Sequence, residues 1–62
     1  MRLLLRDASY TERLGAFLRS VGQVPVAAGP DALEVEVDPA ELEVYLRVWQ
    51  VLYPDAEVTV QA

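Results

Sequence analysis

The sequence predicts a small α+β domain in the order strand, helix, strand, strand, helix, strand. Two helix-start signatures carry that prediction, each placed just after a strand-like apolar run. Ser9-Tyr10-Thr11-Glu12 follows Leu3-Leu4-Leu5, and Asp38-Pro39-Ala40-Glu41 follows Leu33-Glu34-Val35-Glu36-Val37. In each, a short oxygen-bearing side chain can accept from the orphan N–H groups of a first turn. A glutamate three residues on can reach back to close a capping box. Pro39 is pre-set for a first helical position. The third observation is punctuation: Gly22 and Pro54 stand where the two helices must stop.

Taken in order, Met1 to Arg6 reads as a first strand, with Leu3 and Leu5 on one face and Arg2, Leu4 and Arg6 on the other. The first helix carries one apolar stripe of Tyr10, Leu14, Phe17, Leu18 and Val21, backed by Glu12, Arg13, Arg19 and Ser20. Gly15, inside it, costs about 1 kcal/mol relative to Ala, and either a close helix approach or simple tolerance accounts for it. Val24 to Ala28 is a second strand, and Pro25 within it argues for an edge. Gly29-Pro30-Asp31 makes a turn. Ala32 to Val37 is the clearest strand, with Leu33, Val35 and Val37 alternating against Glu34 and Glu36. The second helix runs from Asp38 to about Tyr53, and Glu57 to Gln61 is the last strand, with Val58 and Val60 facing inward.

With 62 residues the chain is expected to form one domain, residues 1–62, near the size at which a single core stops being sufficient. It has no Cys for a disulfide and neither Cys nor His for a zinc site. The staple left to so small a domain is association. The 53% apolar content points the same way. A net charge of −5 and five dispersed arginines argue against nucleic acid and against an anionic membrane surface. Arginine used to the exclusion of lysine suggests a GC-rich bacterial genome. No segment has the length of a membrane span or the pattern of a signal peptide, so a cytoplasmic protein is expected.

A βαββαβ order in so short a chain resembles the ferredoxin-like split fold: a two-layer sandwich with two helices on one face of a four-stranded antiparallel sheet. Right-handed crossovers then give the strand order 4-1-3-2, with strands one and three central. That placement puts Pro25 on an edge and brings Arg2 and Arg6 onto the open face beside Glu34 and Glu36.

Catalysis finds little to work with. The chain lacks the common general base and the strong nucleophile, and the capping role accounts for Ser9. Glu34 and Glu36 read as a solvated sheet face rather than an acid–base pair. Asp31, Glu34, Glu36 and Asp38 lack the loop pattern of a calcium site, and Asp7-Ala8-Ser9-Tyr10 offers no Cys-x-x-Cys for a heavy metal. No catalytic residue, metal or cofactor is expected. The outward positions of the central strands hold no aromatic on which RNA bases could stack.

In topology, helix length and an acid at Asp7 in the first strand–helix loop, the chain is similar to the ACT-type regulatory domains. The family's loop pair is replaced here by Ala8-Ser9. That resemblance implies an amino-acid or small-carboxylate ligand at Arg6, Asp7, Ser9, Gly22 and Gln23.

The second helix exceeds structural need. Leu42, Tyr45, Leu46, Trp49, Leu52 and Tyr53 make a complete core stripe, and Val44, Val48 and Val51 add a second one beside it. Only Glu43, Arg47 and Gln50 remain as a polar strip. Three β-branched residues in a helix need a packing reason. The expectation is a non-enzymatic association module, a homodimer or a complex with a protein partner. Contact would come through Val44, Val48 and Val51 or through the free edge of the last strand, Val58-Thr59-Val60.

Overall fold

A computed structural model describes residues 1–61. Four strands and two helices follow one another as β1 (Arg2–Leu5), α1 (Thr11–Ser20), β2 (Val26–Gly29), β3 (Ala32–Glu34), α2 (Pro39–Leu52) and β4 (Val58–Gln61), with a 3₁₀ turn at Ala8–Tyr10 leading into α1. The strands form one antiparallel sheet in the order β2-β3-β1-β4, so β1 and β3 are central and β2 and β4 are the edges. Period-two alternation sorts β1: Leu3 and Leu5 are buried, while Arg2 is exposed and Leu4 half-buried on the other face.

Both helices meet the buried face. Leu3 and Leu5 of β1, with Leu33 and Val35, pack against Leu14 and Leu18 of α1 and Leu42 and Trp49 of α2. Trp49 is the centre of this core. Its ring lies 5.7 Å from Phe17 and 4.5 Å from Tyr53, and Tyr10 meets it edge-on at 6.4 Å. Its indole N–H donates to the Ala56 carbonyl at 3.1 Å, a buried bond that ties the end of α2 to the approach of β4. The Arg13 guanidinium covers the outer side of the cluster, 5.3 Å from the Tyr10 ring and 5.9 Å from Tyr53.

The helix ends follow local chemistry with two corrections, and the first is that neither Glu12 nor Glu41 reaches back to close the expected capping box. Ser9 does not cap α1. Asp7 accepts from the Ser9 N–H at 3.0 Å and from its hydroxyl at 2.8 Å, and so caps the 3₁₀ turn two residues earlier than expected. The chain enters α1 from that turn, and Tyr10 at the cap position makes no side-chain cap bond. The Thr11 hydroxyl instead donates to the Pro30 carbonyl at 3.0 Å and ties the helix start to the β2–β3 turn. At the far end Gly22 takes φ +86°. Its N–H reaches the Arg19 carbonyl at 3.1 Å and the Gln23 N–H reaches Leu18 at 2.9 Å, the paired bonds of a Schellman cap. Asp38 caps α2 as its sequence predicts, accepting from the Ala40 N–H at 2.9 Å, with Pro39 in the first turn.

Other boundaries move by a residue or more. The second strand starts at Val26, so Pro25 precedes it rather than lying within it. The third strand ends at Glu34; beyond it the Val35 N–H still bonds the Met1 carbonyl at 2.9 Å. Arg2 lies opposite Glu34 in the register and pairs with it at 3.4 Å, but Arg6 pairs with Glu57 at 3.3 Å instead of an acid of the third strand. Arg6 lies one residue past the end of β1, next to the loop that precedes β4. A cross-strand hydrogen bond from its N–H to the Glu57 carbonyl holds it there. Among the described residues, no helix is long and apolar enough to cross a membrane.

Candidate association surface

A helix lying on a sheet has one face to bury, and α2 has more apolar surface than that face can take. Leu42 and Trp49 are buried, and Leu46 and Tyr53 pack partly against the core. Val44, Val48 and Val51 remain exposed at 57, 47 and 82%. Leu52 is exposed at 58%, which corrects its expected place in the core stripe. The aromatic next to it explains why: Tyr53, just past the helix, packs its ring against Tyr10 and Trp49 and closes the core end that Leu52 would otherwise fill. Val44, Val48 and Leu52 therefore form a single row at spacings of four, with Val51 beside it. The signal was available in the sequence, since Leu52 continues the four-residue spacing of the valines.

The other side of α2 faces the β4 edge. There a groove of about 370 Å³ opens between helix and strand, floored by Leu42, Leu46, Trp49, Val58 and Val60. Glu43, Arg47 and Gln50, the expected polar strip, line its helical side. Arg47 donates to Glu43 at 3.0 Å, one helical turn away. Val58 and Val60 lie opposite Leu5 and Leu3 in the register and so share the helical face, as expected. Val60 is nevertheless 42% exposed because α2 does not extend over the edge. Spacing and propensity within the chain carry no signal for this groove; it arises from where the helix lies on the sheet.

The residues implied by the ACT resemblance are dispersed. Arg6, Asp7 and Ser9 lie before α1, whereas Gly22 and Gln23 lie beyond its far end. A helix of that length separates the two groups by about 15 Å. Each group also has a local partner. Arg6 holds Glu57, Asp7 holds Ser9, and Gly22 and Gln23 close the C-terminal cap. The two Ser9 hydrogen bonds hold the Asp7 carboxyl below the usual carboxylate range, against a smaller upward effect of burial. Comparison with protein-family models, with curated proteins and with solved structures finds no significant match to this chain.

Proposed function

We propose that this protein is a non-enzymatic association module that works as a homodimer through the outer row of α2. The carrying observation is the exposure of Val44, Val48, Val51 and Leu52 on one side of a single helix. Monomeric proteins do expose single apolar side chains, but a contiguous apolar row is the mark of a contact surface. In a two-fold contact the same row meets itself, so one helix supplies both halves of the interface. Fully burying each of these side chains is worth about 1.5–3 kcal/mol, enough to offset a large part of the cost of association.

The non-enzymatic part of this reading is supported by the residue set and by its engagement. The chain has no His or Cys, and Ser9 and Asp7 are bound to each other. We further propose that the fold is ferredoxin-like. The β-α-β-β-α-β order supports this, as does the sheet order, which counted from the other edge is 4-1-3-2. Size-exclusion chromatography with light scattering tests the association. Val48→Glu should reduce the mass of the particle while the circular dichroism of the folded chain is kept, because the substitution lies outside the core. An unchanged mass in that variant would rule out the α2 row as the contact.

A further inference from the structure

The two edges of this sheet are built differently. An edge strand offers unpaired N–H and C=O groups, and proteins that must keep it free guard it with proline, charge or an irregularity. β2 carries such guards: Pro25 precedes it, and its register against β3 shifts between Ala27 and Gly29. β4 carries none. Val58-Thr59-Val60-Gln61 contains no charge, proline or glycine, and it pairs with β1 over all four residues in unbroken register. Three of its four residues are β-branched, and it is an edge strand of the sheet.

Next to that edge lies the groove under α2. Its floor is apolar, and the inward-facing Val60 at its mouth is left 42% exposed. A strand added to β4 would stand about 4.8 Å farther out and turn alternate side chains into the groove. The pattern that fits is β-branched residues two apart, which is what β4 itself presents at Val58 and Val60. Glu43 and Arg47 pair with each other at 3.0 Å on the rim, so a second copy brought to the edge by a two-fold axis meets balanced charge and no net repulsion.

We propose that β4 pairs antiparallel with β4 of a second copy, extending the sheet across two chains and closing both grooves at the seam. This contact is independent of the row on Val44, Val48, Val51 and Leu52, which lies on the other side of α2. A chain with both contacts assembles beyond a dimer.

The test is sedimentation of the parent chain, of Val48→Glu, of Val60→Lys and of the double variant, joined to hydrogen exchange of the parent's β4 amides across protein concentration. Val60→Lys puts a charge at the seam but at a half-exposed edge position, so the fold should stand. Its particle mass should fall to that of two chains, held by the α2 row, and the double variant should be monomeric. In the parent, exchange at Val58–Gln61 should slow as concentration rises, because outer-edge amides become bonded. A Val48→Glu chain that keeps the parent mass, together with a monomeric Val60→Lys chain, would leave the β4 contact standing alone and remove the helix contact. A parent mass unchanged by Val60→Lys, or β4 exchange independent of concentration in the parent, would overturn the proposal.

Discussion

Asp7 and Ser9 show how two residues divide one cap. Asp7 takes both bonds that Ser9 offers, so Ser9→Ala removes the hydroxyl bond but leaves the N–H bond in place. Ser9→Ala should therefore cost less than loss of the Asp7 carboxylate, and melting of the two variants checks the order. The lowered Asp7 pKa has a defined sign. A carboxyl that titrates lower in the folded chain than in the unfolded one stabilises the fold above the unfolded value. That contribution is lost as pH falls through the folded pKa. NMR titration of Asp7 should give a midpoint below the ordinary aspartate value of 3.8, moving back toward it in Ser9→Ala. Gly15 gives a prediction of the opposite direction. A Cβ built there would meet Arg19 at 3.6 Å and Leu33 at 3.9 Å, ordinary contact distances. Tolerance rather than close approach explains this glycine. Gly15→Ala should stabilise the chain by about 0.5–1 kcal/mol and raise its melting temperature.

At the level of elements, α2 is set by its cap at one end and its tryptophan at the other. Asp38→Ala removes the bond to the Ala40 N–H and should cost about 1 kcal/mol, a drop of about 4–8 °C in a domain of this size, read by thermal melting. Trp49→Phe should cost more. It leaves the buried Ala56 carbonyl without its 3.1 Å donor, a loss of about 1–3 kcal/mol before any cavity is counted. The elements were legible from the sequence where one local rule acted alone. Alternation marked Leu3, Leu5, Leu33 and Val35 as inward, and Asp38-Pro39 marked the start of α2. The start of α1 was misread because Asp7 and Ser9 both carry an acceptor two residues apart, and only three-dimensional geometry selects the earlier one. Leu52 was misread because periodicity places it at the border of the core face, where Tyr53 decides the outcome. The predicted contact residues Val44, Val48 and Val51 are exposed as a contact requires, but the groove beside β4 depends on helix placement and was not legible.

At the scale of the molecule, the exposed valines are not the result of loose packing. The chain exposes 4086 Å², near the roughly 4,000 Å² expected of a well-packed chain of its mass. No buried side-chain polar atom among the described residues lacks a partner. The apolar surplus therefore lies on the surface by construction of α2 and β4. A standard interface takes about 800 Å² from each partner, roughly a fifth of this surface, so association would change the stability of the whole chain. Melting should accordingly move upward with protein concentration, since dimerisation favours the folded state by mass action. The most direct test of the central claim is equilibrium sedimentation of the parent chain from low to high micromolar concentration. A mass of two chains or more, falling on dilution, is the predicted result. A single-chain mass at the highest concentration would contradict it.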